Sequence, residues 1–446
     1  MRTTLPLRPS RAAGQRRGAA QLRRAARAAA TACLVAALFA PAPAVARRIF
    51  VPKEHRSLQA AIDAASPGDT IWAAAGTYHG TIRITKRLVI FGDGGPEATF
   101  LDGGDSARVV HVEGVNGGHL VGFTIRRGKA PGGGGVYCLR DTSFSISSCV
   151  LEKNWESGVA LWQCQVVVVS DDVFRENQGS GLSANFSKLF LRDTQFIKNH
   201  AQAGGGLSLV NSEAITSTSN CTFDGNQAEG GQGGGIFADS SIVRLASCAF
   251  TGNSSTLSGG AAAAVDSSTL WISRTRFQDN RAATGGALNT DGSAVNIALS
   301  IFDQNHATAA ASAIQILGRA LANVNPIIKN CTFYKNTCVA GEGAAVYCQT
   351  VSPEFLQNIF VTEGANRAVV GRQSSPRFEC NLIWDPSGAA IGSLPSPTTY
   401  VGDPRFCDPD KHDFHLHSLS LALIAPCGPI GAQLKGCSTF EVLPAR

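Results

Sequence analysis

Phe196-Ile-Lys-Asn199, Phe223-Asp-Gly-Asn226, Phe250-Thr-Gly-Asn253 and Phe277-Gln-Asp-Asn280 are four copies of one motif, Phe-x-x-Asn, set 27 residues apart. Phe174-Arg-Glu-Asn177 precedes them by 22 residues; Phe302-Asp-Gln-Asn305 and Phe333-Tyr-Lys-Asn336 follow at steps of 25 and 31. A period of this size marks a stacked array whose units are each too small to hold a core alone. After each asparagine comes a turn of Ala, Gly and Ser, and then a short strand such as Gly235-Ile-Phe-Ala-Asp239, with Ile236 and Ala238 facing in and Phe237 and Asp239 out. Alternation at period two means strand. A second alternating run leads into each phenylalanine, as in Cys221-Thr-Phe223. Strands this dense leave no room for crossover helices, which a doubly wound sheet requires. The chain must instead coil so that equivalent strands stack in parallel, with right-handed crossovers. The reading is an all-β, single-stranded right-handed parallel β-helix, a solenoid of about ten coils.

Stacking predicts that every phenylalanine points into the bore beneath the next, contributing roughly 1.5–3 kcal/mol by burial. The asparagines fall where the chain bends, since Asn tolerates left-handed backbone and can bond neighbours along the axis. The 48 glycines suit tight corners, and a charged fraction of 16% is low for a globular chain.

An open stack exposes strand edges at its ends, which must be covered. Ser57 is placed to N-cap an amphipathic helix with Leu58, Ala61, Ile62 and Ala65 on one face, stopped by Ser66-Pro67-Gly68. At the other end the tail carries Cys407, Cys427 and Cys437, read as a disulfide-stapled cap with Cys427–Cys437 the first expectation. The expected organisation is a signal peptide over 1–46, an N-terminal cap with the first coils over 47–100, the β-helix over 101–390 and a C-terminal cap over 391–446.

Val51-Pro52, Ser57-Leu-Gln-Ala-Ala-Ile-Asp-Ala-Ala65, Pro67-Gly-Asp-Thr-Ile71, Gly76-Thr-Tyr78 and Gly122-Phe-Thr-Ile125 resemble the opening of secreted pectin-lyase-like right-handed β-helix proteins. Gly402-Asp-Pro-Arg-Phe406 and Asp413-Phe-His-Leu416 resemble the ending of bacterial members. The resemblance covers about residues 50 to 440. It implies the fold, and it implies polysaccharide or cell-envelope glycan as the partner, with a lyase or epimerase acting on uronate sugars if the chain is an enzyme. The alternative is a non-catalytic, adhesin-like surface β-helix, because a fold does not fix a function.

Residues 1–27 hold eight arginines and no acid, and the apolar run Ala28 to Ala40 and Ala44-Val-Ala46 follow. That is the layout of a secretory signal cleaved after Ala46. Neither Arg16-Arg17 nor Arg23-Arg24 is followed by the apolar pair of twin-arginine export, and Cys33 precedes rather than follows apolar residues. No later run is long enough to span a bilayer. Without those eight arginines, Lys plus Arg falls from 39 to 31 against 33 acids, so the remainder is near −2. Nothing points to a nucleic-acid partner. Twelve cysteines follow Ala46; Cys149, Cys221, Cys248 and Cys331 repeat one inward position, and Cys138 and Cys348 another, as buried free thiols would.

Candidate chemistry is sparse. Aligning the repeats puts Asp239, Asp266 and Asp291 in one outward column, with Asn185 two coils earlier. Stacked carboxylates repel, so such a column suits Ca²⁺ or an acidic glycan held through it; equally, Asp before Ser or Gly is a common turn former. Asn289-Thr-Asp-Gly292 resembles the first acid motif of polygalacturonase-type hydrolases, but the paired Asp lies upstream, at Asp171-Asp172, and the other motifs are missing. Arg126, Arg127 and Lys129 form a basic cluster in a Gly-rich stretch; Lys153, Lys198 and Lys335 share the turn position beside the asparagine. His415 and His417 alternate on one strand. Tyr137, Phe237, Tyr347 and Trp162 are outward aromatics able to stack on sugars.

Overall fold

The computed structural model describes residues 46–216, 220–318, 325–340, 343–363, 367–387 and 399–437. All but the last residue of the expected signal peptide lies outside the described residues. From Arg48 onward the chain winds as a right-handed parallel β-helix. Three long parallel sheets run along it, which we call A, B and C in the order one coil visits them. Sheet A holds 14 strands, from Arg48–Val51 to Arg377–Glu379; sheet B holds 14, from Gly76–His79 to Tyr400–Val401; sheet C holds 12, from Ile82–Ile84 to Arg367–Arg372. A narrow fourth sheet, D, adds six two- to five-residue strands between B and C, from His200–Ala201 to Thr337–Cys338.

The bore follows from the motif. Phe174, Phe196, Phe223, Phe250, Phe277, Phe302, Phe333 and Phe360 stack ring on ring, with centroids 4.5 to 5.0 Å apart and planes within 2 to 13° of parallel. That separation is the spacing of hydrogen-bonded strands, so the backbone ladder sets the ring stack. Leu101, Ile125 and Leu151 continue the column toward the N-terminus and Ile383 ends it. These coils lack the phenylalanine, which is why the motif undercounts them.

Two corners of the coil carry buried polar ladders. Asn154, Asn177, Asn199, Asn226, Asn253, Asn280, Asn305 and Asn336 are buried beside the aromatic column. Asn253 is typical: its backbone N–H and its Nδ2 both donate to Asn280 Oδ1 at 3.0 Å, and Nδ2 also donates to the Phe223 carbonyl at 2.8 Å. The left-handed residue of the corner is the one before the asparagine, such as Lys198 (φ 51°) or Asp279 (φ 53°), not the asparagine itself. The ladder asparagine is therefore selected for its amide, which satisfies corner groups that no sheet can reach. At the corner between C and A, Ser187, Ser212, Ser241 and Ser268 do the same, each hydroxyl accepting the preceding coil's N–H at 2.9 to 3.0 Å.

Helix α1 (Leu58–Ala64) covers the N-terminal end. Ser57 Oγ accepts the Ala60 N–H at 3.2 Å, and Leu58, Ala61, Ile62 and Ala65 are buried. The C-terminal segment folds against the flank of the stack. Its Phe414, Leu416, Ala422 and Ile430 pack with Ile301, Ile359 and Leu382 on the outer side of sheet B. Arg276, from sheet B, donates twice to the His412 carbonyl at 3.1 Å, and the buried Asp303 carboxylate meets His412 Nδ1 at 2.6 Å.

This docking overturns the expected Cys427–Cys437 bridge. Cys427 bonds Cys380, at the corner before the sheet-B strand Leu382–Trp384, and Cys437 bonds Cys407 within the tail's own small sheet. The tail lies along the coils, so the nearest partner of Cys427 belongs to a coil. Cys138, Cys149, Cys221, Cys248, Cys331 and Cys348 are buried thiols outside both disulfides, as their inward repeat implies. Among the described residues no helix is long and apolar enough to cross a membrane.

Candidate functional site

Two of the three long faces are covered over part of their length. Outward residues of sheet C, including Ala263, Asn289 and Gln315, are buried. The chain between D and C lies across them: a Cβ on Gly259 would sit 3.0 Å from that of Ala263, and one on Gly285 3.3 Å from that of Gln315. Sheet B is covered by the tail from Ile301 to Leu382. Sheet A keeps an open outer face with large side chains. Register places Arg244, Trp271, Asn296 and Ile327 opposite one another on four successive coils, and Lys188, Glu213 and Ile242 in the adjoining column. Trp271 and Ile327 stay 39% and 40% exposed despite this packing. Around them lies an open cavity of about 540 Å³ that also takes in Arg244, Asn296 and Lys329.

The charges of this face are held in place. Lys188 Nζ lies 2.9 Å from Glu213, and Arg244 pairs with the other oxygen of the same carboxylate. The Lys188 hydrogen bond, and then Arg244, hold the Glu213 carboxyl below its usual range against the opposing effect of burial. On its other side the Arg244 guanidinium stands 4.4 Å from the Trp271 ring centroid, a cation–π contact. A fixed guanidinium beside an exposed indole offers a carboxylate partner and a flat apolar surface together. Where the face nears the corner with sheet C, Phe186 and Trp162 form a second exposed aromatic pair, centroids 6.0 Å apart.

A second concavity, about 460 Å³, lies where the tail meets the coils and is lined by Asp279, Arg281, His306, Lys335, Glu363 and Asp410. Lys335, at the turn position beside its asparagine, faces this groove of mixed charge, where its ammonium sits 5.3 Å from the Tyr334 ring.

The aspartate column does not assemble. Asp239 and Asp291 both stand opposite Val265, on either side of it, and Asp266 falls one residue later. The middle coil has one extra residue at this corner, so Asp266 and Ser267 both adopt left-handed backbone (φ 49° and 66°) and close the turn. Asp239 and Asp291 are two coils apart, and among the described residues no group of three or more His, Cys, Asp and Glu side chains could hold a metal ion. These residues do not fit the Ca²⁺ site expected of them.

The other sequence candidates scatter. Asn289 and Thr290, of the hydrolase-like motif, are buried, and neither Asn289 Oδ1 nor Thr290 Oγ1 has a partner. Asp172 is buried in the corner between A and B, where its carboxylate accepts the Cys149 and Ser170 N–H groups; burial pushes its carboxyl up to about 8. Asp141 accepts the Val115 N–H at the corner between C and A and is pushed up to about 6, again by burial. Both are corner ladder members. Arg126 and Arg127 are not a free basic cluster: both bond the fully buried Asp102 carboxylate, at 2.9 and 2.7 Å. Burial would raise that carboxyl, but hydrogen bonds from Arg127, the Gly104 N–H and Arg126 leave it lowered. Lys129 lies 4.0 Å from the Trp155 ring centroid. His415 pairs with Asp413 at 2.6 Å. Tyr137 is covered by Arg108, 4.2 Å from its ring centroid, and Tyr347 is buried; of the expected aromatics Trp162 stands open. Trp271 was missed. Its signal was present in Thr269-Leu-Trp-Ile-Ser273, where a tryptophan alternates outward between two buried aliphatics.

The right-handed β-helix region family matches residues 105–230 and 206–383. The chain belongs to this family. Among solved structures it is similar to the A-module of a mannuronan C-5 epimerase from Azotobacter vinelandii, at 13% identity and a TM-score of 0.44, covering 78% of this chain and 94% of that one. It is also similar to a pectate lyase, at 14% and 0.38, covering 87% and 96%. A third is the catalytic unit of an α-1,3-glucanase from Streptomyces thermodiastaticus, at 14% and 0.35, covering 81% and 68%. At such identities the likeness concerns the fold alone. No curated protein matches the chain by sequence.

Proposed function

We propose that this β-helix protein is exported and binds acidic polysaccharide along the outer face of sheet A. One observation carries the reading: Arg244 is held between Glu213 and an exposed Trp271 on the long face left open by the tail and the D–C loops. Sugar rings present flat C–H surfaces that suit an indole, and a uronate carboxylate suits a guanidinium. Successive coils repeat about every 4.8 Å, so the face extends in the direction of a linear polymer lying along the axis. Export is supported by the basic-then-apolar start of the chain and by two disulfides in the C-terminal region, which persist in oxidising compartments.

The test is titration of the full chain with a panel of acidic and neutral polysaccharides. Acidic polymers are expected to bind, and Trp271→Ala to weaken them about thirtyfold, the size of one interface hot spot. Equal affinity in the variant would refute the reading. Ultraviolet detection of unsaturated products in the same samples reports any eliminative cleavage. A second reading, a rigid surface spacer, is favoured by the unbroken asparagine ladder from Asn154 to Asn336; it predicts no saturable binding to any glycan of the panel.

A further inference from the structure

We infer that Cys221 and Cys248 are a dithiol that closes to a disulfide in an oxidising compartment, a site of covalent modification joining two adjacent coils. The inference goes beyond the glycan reading and stands on the corner between sheets A and B.

That corner places one inward residue of each coil in a column, and register sets Asp172, Thr194, Cys221, Cys248, Thr275 and Ser300 one above another. Several members of the column have a task that their chemistry explains. Asp172, Ser300 and Asn358 each accept the N–H of the residue one coil earlier, at 2.7, 3.2 and 2.9 Å. A thiol is a weak acceptor, so two in succession are a poor choice for that task. Cys149 is followed in the column by Asp172, and Cys331 lies between Ser300 and Asn358. Among the described residues of the column, cysteine meets cysteine at Cys221 and Cys248 alone.

The geometry of the step suits a bond. The Ala249 N–H donates to the Cys221 carbonyl at 3.1 Å, so the two coils are tied at the pair itself. Parallel neighbours lie about 4.8 Å apart, within the roughly 4.4–6.8 Å between Cα atoms that a disulfide spans. Both cysteines precede their strands, Thr222–Asp224 and Ala249–Thr251, and follow left-handed residues, Asn220 (φ 57°) and Ser247 (φ 55°). They therefore sit on the bend, where the pleat does not dictate side-chain direction. The two thiols share a hydrogen bond, which together with burial raises the Cys221 thiol above its ordinary value. Cys221 is fully buried, whereas Cys248 also lines an open cavity of about 570 Å³ beside Ala432 and Leu434 of the tail. Cys248 is thus the sulfur that an oxidant reaches first.

A small disulfide such as oxidised glutathione is the co-reactant. Cys248 Sγ, its proton passed to solvent, attacks one glutathione sulfur; the glutathione S–S bond breaks and one thiolate leaves. Cys221 Sγ then gives up its proton and attacks Cys248 Sγ of the mixed disulfide, expelling the second thiolate. The leaving thiolates take up the two protons. Two protein thiols are oxidised, and one glutathione disulfide is reduced to two thiols.

The experiment is mass-spectrometric mapping of the full chain after incubation with oxidised glutathione, with remaining thiols alkylated in denaturant before digestion. The expected result is a peptide pair linked through Cys221 and Cys248, with Cys149 and Cys331 alkylated. Cys221→Ser keeps a small side chain in a column that already holds Thr194 and Ser300. In that variant glutathione should remain attached to Cys248, because its resolving thiol is gone. Alkylation of both Cys221 and Cys248 in the unaltered chain, or a bridge from Cys248 to another cysteine, would overturn the inference. An absence of adduct on Cys248 in the Cys221→Ser chain would overturn it as well, since the pair would then lack its point of entry.

Discussion

Phe250 and Trp271 belong to neighbouring coils, yet the regions they occupy obey opposite rules. Phe250 sits in the bore, where the same residue recurs above and below it at 4.5 and 5.0 Å. Trp271 sits on the outer face of sheet A, where its column neighbours are an arginine and an asparagine. The bore repeats because each coil must present the same surface to the next. No such constraint acts on the outer face, so its irregularity reflects what it meets rather than how it folds. The comparison predicts that bore and face can be damaged separately.

The largest effect should come from the bore. Phe250→Ala leaves a cavity between two stacked rings and is expected to cost about 3–5 kcal/mol in urea unfolding, with polysaccharide affinity of the folded fraction unchanged. A loss below 1 kcal/mol would mean the column is not a cooperative core. Next, Asn253→Ala strands the Asn226 N–H and the Phe223 carbonyl inside the corner. About 1–3 kcal/mol per stranded group follows, read by the same unfolding series.

Asp172 tests the corners through pH. Its folded carboxyl titrates near 8, above the ordinary value of 3.8, so the folded state binds a proton that the unfolded chain releases. Stability from this group is therefore fully present below about 3.8, where both states hold the proton, and is lost progressively as pH rises from there to about 8. Asn358 fills the equivalent corner position and accepts the Cys331 N–H as Asp172 accepts that of Cys149. Asp172→Asn should thus leave Tm nearly unchanged at pH 3, raise it slightly at pH 5 and raise it by a few degrees at pH 9. A variant less stable than the parent at pH 9 would contradict this account of the corner. The smallest stability effect belongs to the face: Trp271→Ala should shift unfolding by under about 0.5 kcal/mol, although it weakens glycan binding.

The same contrast governs what the sequence reveals. The bore was legible because it recurs: the Phe-x-x-Asn period carried the fold, the strand alternation and the buried thiols. Coils that place Leu101, Ile125, Leu151 or Ile383 in the column escaped the motif, since any large apolar side chain fills that position. One inserted residue at a corner was enough to misplace Asp266, because register depends on backbone conformation that spacing alone does not report. The Cys380–Cys427 bridge was hidden by the path of the tail, which brings distant segments together. The candidate site was the least legible part. Which face stays open depends on where the tail and the D–C loops pack, and Trp271 gains its meaning from Arg244 on the neighbouring coil.

Hydroxyl-radical footprinting of the full chain with and without an acidic polysaccharide tests the central claim most directly, because it reports which exposed side chains the polymer covers. Trp271 and Ile327 on sheet A should lose reactivity on binding, while the exposed Trp155, at the corner after sheet B, should keep its own. Protection of Trp155 with Trp271 unchanged would place the working surface elsewhere and contradict the account.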